Sequence, residues 1–223
     1  MSRKLPLFPL GTVLFPGLLL PLHIFEERYR QLVRDLLDGP EPRHFGVLAI
    51  RKGRETGIDG ISALYEIGCT ATIRRVTEYE DGRYDVLTVG TQRFALTELD
   101  DQSQPYLTGQ VDLLDEASGD AGAAQAAALA VQGAFRAYLD ELAGRGVTQV
   151  ALPDLPDEPA ALSYLVAASM IIDLSDRQAL LAEPDALRRL TAERALLTVQ
   201  TSMLRSLASA PAPDLRYSPY NPN

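Results

Sequence analysis

Gly68-Cys69-Thr70-Ala71-Thr72-Ile73-Arg74-Arg75-Val76, then Glu80-Asp81-Gly82-Arg83, then Tyr84-Asp85-Val86-Leu87-Thr88-Val89 is the stretch whose reading decides the fold class. β-branched and apolar residues alternate with polar ones on both sides of Asp81-Gly82. An Asp-Gly pair between two such runs predicts a β-hairpin, because glycine reaches the positive φ that tight hairpin turns demand. Working outward, Phe45-Gly46-Val47-Leu48-Ala49-Ile50 reads as a compact buried strand, and Arg93–Leu99 and Tyr106–Leu114 as two more. The chain opens with Leu5-Pro6-Leu7-Phe8-Pro9-Leu10 and Val13-Leu14-Phe15-Pro16. Prolines inside such β-like runs point to edge strands or kinked extended segments. Polar, glycine-rich Arg51 to Ile61 reads as a mobile loop. About five or six strands without a βαβ rhythm predict a closed or nearly closed small barrel.

One early helix is expected over Phe25–Leu37, with Phe25, Tyr29, Leu32, Val33 and Leu36 on one face, a Glu26/Arg30 pair on the other, and Asp38-Gly39-Pro40 as its stop. Near residue 118 the chain turns rich in alanine and leucine at helical spacing. Helices are predicted over Ala121–Leu142, over Ala160–Ile172 behind Pro159, from a Ser175-x-x-Gln178 capping box to Pro184, and from Asp185 to about Leu207. Leu190, Leu197 and Leu204 are spaced as a bundle seam. The class is therefore α+β, with a β-barrel over 1–117, a helical bundle over 118–207 and a tail over 208–223. Pro211, Pro213, Pro219 and Pro222 give that tail a disordered composition.

Composition excludes several functions. Hydrophobic residues make up 46% and charged residues 23%, as in a globular chain with a real core. The net charge of −9 opposes binding to phosphate backbones, so no nucleic-acid partner is expected. The short basic groups Arg51-Lys52-Gly53-Arg54 and Arg74-Arg75 read as solvated surface. Cys69 is the single cysteine, which rules out an internal disulfide and fits a reducing cytoplasm. Arg3-Lys4 and the apolar stretch after it imitate a secretory signal, but Pro6, Pro9, Pro16 and Pro21 interrupt it. No run reaches the ~18 apolar residues of a membrane helix, so no membrane partner is expected.

The search for chemistry is mostly negative. His23, His44 and Cys69 are too few for a zinc site, and neither a phosphate-cradling loop nor a nucleophile elbow occurs. Lys4 and Lys52 are the only lysines, and neither is placed in a desolvated pocket of the kind a serine–lysine dyad uses. His23 reads as a cap or packing residue, and Asp112, Asp115 and Glu116 as solvated charge or a weak cation site. No catalytic residue, metal or cofactor is expected.

Phe8-Pro9-Leu10-Gly11-Thr12-Val13-Leu14-Phe15-Pro16-Gly17, followed by Leu20-Pro21-Leu22-His23-Ile24-Phe25-Glu26-Glu27-Arg28-Tyr29, resembles the opening of the Lon protease N-terminal domain. Val89-Gly90-Thr91-Gln92-Arg93-Phe94 and Ile171-Ile172-Asp173-Leu174-Ser175-Asp176-Arg177-Gln178 resemble later parts of the same family, in order. The resemblance implies a PUA-like barrel followed by a helical bundle. It further implies capture of unfolded or degron-bearing polypeptides and a role in assembly, which leaves a homo-oligomer open. The sequence stops where the ATPase and serine–lysine protease domains of Lon would begin, so a non-catalytic adaptor or chaperone-like module is expected, acting on such polypeptides or on a protein partner. An RNA-binding PUA-like protein is the alternative. Phe8, Phe15, Leu19, Tyr29 and Tyr65 are the candidates for an apolar peptide surface that accepts an extended strand. Pro16, Pro21, His23, Glu26, Arg28, Gly90 and Arg93 are assigned to the structural motif, with Glu26 and Arg93 as an ion pair supporting the fold.

Overall fold

The computed structural model describes residues 2–53, 61–117, 119–145 and 155–209. In chain order the elements are β1 (Ser2–Leu10), β2 (Leu19–Ile24), α1 (Glu27–Asp38), β3 (His44–Gly53), β4 (Ile61–Leu64), β5 (Ile67–Glu78), β6 (Tyr84–Asp100) and β7 (Thr108–Leu114). The helices α2 (Ala121–Ala143), α3 (Pro159–Ser169), α4 (Leu174–Ala182) and α5 (Ala186–Ser209) follow. The expected mobile loop lies partly in β3 and at the start of β4. Its residues 54–60, like the tail beyond 209, fall outside the described residues.

The hairpin forms where the alternation places it. Gly82 takes φ +76° and its N–H donates to the Tyr79 carbonyl, closing the turn between β5 and β6. β6 is one 17-residue strand rather than two, and it changes partner along its length. Tyr84–Val89 pairs with β2, and Arg93–Asp100 with β7, while β5 runs along the other side. The order β1-β7-β6-β5-β3 closes through a parallel β1–β3 pairing, giving a barrel. β1 is therefore not an edge strand. Its first half pairs with β7 and its second half with β3, so each half leaves one side free of ladder bonds and tolerates Pro6 and Pro9.

Phe8, Tyr29, Phe45 and Val86 fill one part of the barrel, and Leu7, Leu48, Phe94 and Val111 another. The bundle has its own core around Val131, Phe135, Leu162, Leu190 and Leu197, to which the barrel contributes Val13, Phe15 and Ala49. Phe15 packs against Tyr164 of α3 at 6.2 Å between ring centroids.

The helix starts explain two corrections. α1 begins at Glu27, and Glu26 is its extended N-cap (φ −70°, ψ 134°), so Phe25 is not on the helix; the Glu26 carbonyl accepts the first-turn bond from Arg30 N–H at 2.9 Å, but the two side chains do not pair. Glu26 instead pairs with Arg28 at 3.0 Å, and Arg30 pairs with Glu27 at 3.1 Å and donates to the Asp81 and Gly82 carbonyls. In α4 the N-cap is Asp173, so Ser175 lies inside the first turn and caps nothing. Gln178, its expected partner, donates to the Ile67 carbonyl of the barrel. α3 does begin at Pro159, with the Glu158 carboxylate accepting from the Ala160 and Ala161 amides.

Candidate functional site

Gly90 N–H donates to the Leu18 carbonyl at 2.9 Å, which sets the phase of the β2–β6 ladder. The two-residue repeat then aims the backbone groups of Leu20, Leu22 and Ile24 at β6 and those of Leu19, Pro21 and His23 away from it. β2 pairs with no other described strand, so this outer edge carries no ladder bonds among the described residues. Pro21 stands where an N–H would point outward, and its ring removes that donor. Proline on an exposed edge is a common guard against uncontrolled strand pairing.

The same register builds a face. Pro21 lies opposite Leu87, which lies opposite Arg75; His23 lies opposite Asp85, which lies opposite Thr77. These side chains point away from the core, because the alternate residues Tyr84, Val86 and Thr88 are buried. Together they bound a concavity of about 380 Å³. Beyond its lining, exposed apolar side chains continue along the strands, Leu19 (64% exposed) in one direction and Phe25 (54%) and Tyr79 (40%) in the other.

A polar network holds the Phe25 end. His23 Nδ1 lies 2.7 Å from Asp85 Oδ1, and the Tyr79 hydroxyl donates to Asp85 Oδ2 at 2.5 Å. The Tyr79 hydrogen bond, then that of His23, holds the Asp85 carboxyl below its ordinary pKa. His23 Nε2 faces the Arg83 guanidinium at 3.3 Å rather than a hydroxyl or thiol. The pair thus fixes an imidazole ring between Phe25 and Tyr79, and it arms no nucleophile. On the other side of β2 a shallow cleft of about 100 Å³ separates it from Phe8, Pro9 and Leu10 of β1, with Phe25, Glu26 and Tyr29 at its border. Among the described residues no three His, Cys, Asp or Glu side chains are grouped to hold a metal, and no helix is long and apolar enough to cross a membrane.

Residues 4–199 match the family model of the ATP-dependent protease La (LON) substrate-binding domain. The chain belongs to this family. A crystal structure of a Lon N-terminal domain protein from Xanthomonas campestris is similar at a TM-score of 0.61 and 26% identity, over 88% of this chain and 98% of that one. Lon protease 2 of Syntrophobacter fumaroxidans is 26% identical over 83% of this chain and 23% of its own length. The Lon protease of Desulfovibrio desulfuricans is 30% identical over 92% and 22% respectively. The chain spans about a quarter of the length of the curated relatives it matches.

Within this Lon substrate-binding domain the expected peptide-contacting residues separate. Leu19 lies on the exposed face. Phe8, Phe15 and Tyr29 are buried, and half-buried Tyr65 packs on the bundle core, so these four hold the fold together. Phe25, Tyr79 and Arg75 join Leu19 on the face and were missed. The alternation of Leu19, Pro21 and His23 along β2 was the available signal, masked by the uniformly apolar Leu18-Leu19-Leu20.

The motif residues have distinct tasks. Phe15-Pro16-Gly17-Leu18 is a turn with proline second and Gly17 at φ +81° third, closed by Leu18 N–H to the Phe15 carbonyl. It crosses β6 at Gly90, where a Cβ would stand 2.3 Å from the Phe15 carbonyl oxygen. His23 is a surface residue and caps nothing. Arg28 holds Glu26 and lies over the Tyr29 ring at 4.5 Å.

Arg93 never meets Glu26. It is buried and donates to the carbonyls of Leu181 in the last turn of α4 and of Glu183 and Pro184 in the α4–α5 connection, with the Glu116 carboxylate at 3.3 Å. Arg189 of α5 reaches the same carboxylate at 3.0 Å, donates to Ser163 and lies over the Tyr164 ring, whose hydroxyl also donates to Glu116. Glu116 is thus committed to two arginines and unsuited to the weak cation site suggested for Asp112, Asp115 and Glu116. Asp115 accepts from Gln92.

Proposed function

We propose that the domain binds exposed apolar segments of unfolded or degron-bearing polypeptides, or of a protein partner presenting such a segment, and does so on the β2–β6–β5 face. The role is that of an adaptor or chaperone-like module without catalysis of its own. One observation supports this above the others: a domain of the Lon substrate-binding family leaves Leu19, Pro21 and Phe25 uncovered along the outer edge of β2. Exposed apolar surface beside unpaired backbone acceptors suits an extended chain, which gains affinity from main-chain hydrogen bonds and selectivity from alternate side chains.

The test is binding of a permanently unfolded, fluorescently labelled polypeptide to the purified protein and to a Leu19→Ser/Phe25→Ser variant. Both side chains are exposed, so the variant should melt within a few degrees of the parent while its affinity falls about ten-fold or more. Equal affinity at equal stability refutes the assignment of the face. Tight binding of RNA at physiological salt in a parallel shift assay would overturn the polypeptide reading in favour of the RNA alternative.

A further inference from the structure

The arginines at the turn end of the barrel are almost all committed to acids. Arg28 pairs with Glu26, Arg30 and Arg34 with Glu27, and Arg83 with Asp81. Arg75 is the exception on the candidate face. It is exposed, borders the 380 Å³ concavity, and has no ion-pair partner among the described residues, in a chain with 30 acids against 21 lysines and arginines. A register shift between Ile73 and Arg75 places a bulge at Arg74, and such irregularities re-aim the side chains beside them. The neighbouring acid, Asp85, is already bonded to His23 and Tyr79. A guanidinium left unpaired beside Pro21 and Leu87 is complementary to a carboxylate arriving with an apolar chain.

We infer that this face selects extended segments in which an Asp or Glu side chain is flanked by apolar residues, the carboxylate being received by Arg75. The source is a side chain and not a chain end. Arg75 shares the row of Pro21, and the apolar strip continues past that row to Leu19 on one side and to Phe25 on the other. Arg75 stands two strands from Pro21, across Leu87, so a segment lying along the strip meets the arginine from its flank at mid-length, with a side chain rather than with its end. This inference rests on the polypeptide-binding reading of the face and adds its selectivity.

The experiment uses three labelled decapeptides of alternating apolar and serine residues. One is capped with a central Glu, the second is its capped Gln twin, and the third is the Gln twin with a free C-terminal carboxylate. Fluorescence anisotropy with the full chain should give about ten-fold tighter binding of the Glu peptide than of either other, and the preference should weaken with salt. Arg75→Gln should erase the preference by weakening the Glu peptide alone, and Arg74→Gln should leave it intact. Equal binding of the Glu and Gln peptides overturns the selectivity and leaves the face a peptide site. Equal binding of the Glu peptide and the free-carboxylate peptide overturns the side-chain assignment. An Arg74→Gln effect as large as that of Arg75→Gln overturns the choice of arginine. Binding of none of the three overturns both this inference and the reading beneath it.

Discussion

Glu193 on α5 is fully buried, and neither carboxylate oxygen has a hydrogen-bond partner among the described residues. Burial is the dominant influence on it and raises its pKa to about 9, with Arg189 one turn earlier opposing that rise. The folded protein therefore holds a proton on Glu193 that the unfolded chain, titrating near the ordinary 4.5, has lost. Because the folded state binds the extra proton between those two values, stability is highest at the acid end of the window and falls as pH rises through it. The steepest slope one proton permits is about 1.4 kcal/mol per pH unit, so the ceiling between pH 5 and pH 8 is roughly 4 kcal/mol. Glu193→Gln cannot ionise and should lose that slope. Its buried amide donors cost it about 1–3 kcal/mol at every pH. The variant should therefore be less stable than the parent at pH 5 and more stable at pH 8, with the difference shifting by at least ~2 kcal/mol between them. Urea unfolding of both proteins at pH 5, 6.5 and 8 measures this directly. Parallel stability curves for parent and variant would refute the assignment of a neutral buried acid at this position.

Three further expectations concern the barrel and its junction with the bundle. Gly90→Ala sets a methyl against the rigid Phe15 carbonyl and should cost about 1–3 kcal/mol, read as a lowered denaturation midpoint; an unchanged midpoint would mean the crossing turn can move aside. Arg93→Gln strips donors from three carbonyls and a charge from Glu116, and should cost roughly 2–4 kcal/mol, whereas Glu26→Gln, which loses a pair near the surface, should stay within about 1 kcal/mol. Equal losses in the two variants would contradict the geometry. Burial pushes the Cys69 thiol up to about 12, so an aromatic disulfide reagent at pH 8 should fail to label the folded protein and label it fully in guanidinium.

Much of the architecture was legible because its causes are local. Asp81-Gly82 needs only its own φ and the alternation beside it, and the α3 start needs only Pro159 and Glu158. What stayed hidden depends on residues far apart in the chain. Phe8 and Tyr29 both look available in the sequence, yet their rings pack at 4.2 Å inside the barrel, and Phe15 is covered by Tyr164 of the bundle. Leu19 is exposed, but the face it belongs to is assembled by the register of β2, β6 and β5 across some seventy residues. Arg93 illustrates the same limit. Its main partners are backbone carbonyls at the α4–α5 connection, and no pattern of residue types announces a carbonyl.

The proline at position 21 has a kinetic consequence. A strand laid along the outer edge of β2 finds carbonyls at Leu19, Pro21 and His23 but amide donors only at Leu19 and His23, so its ladder is broken at the middle. Each half of such a strand can peel away without first disrupting the other, which lowers the barrier to leaving more than it lowers the rate of arrival. On the polypeptide-binding reading proposed above, dwell times at this edge are short and a chain held there is readily released.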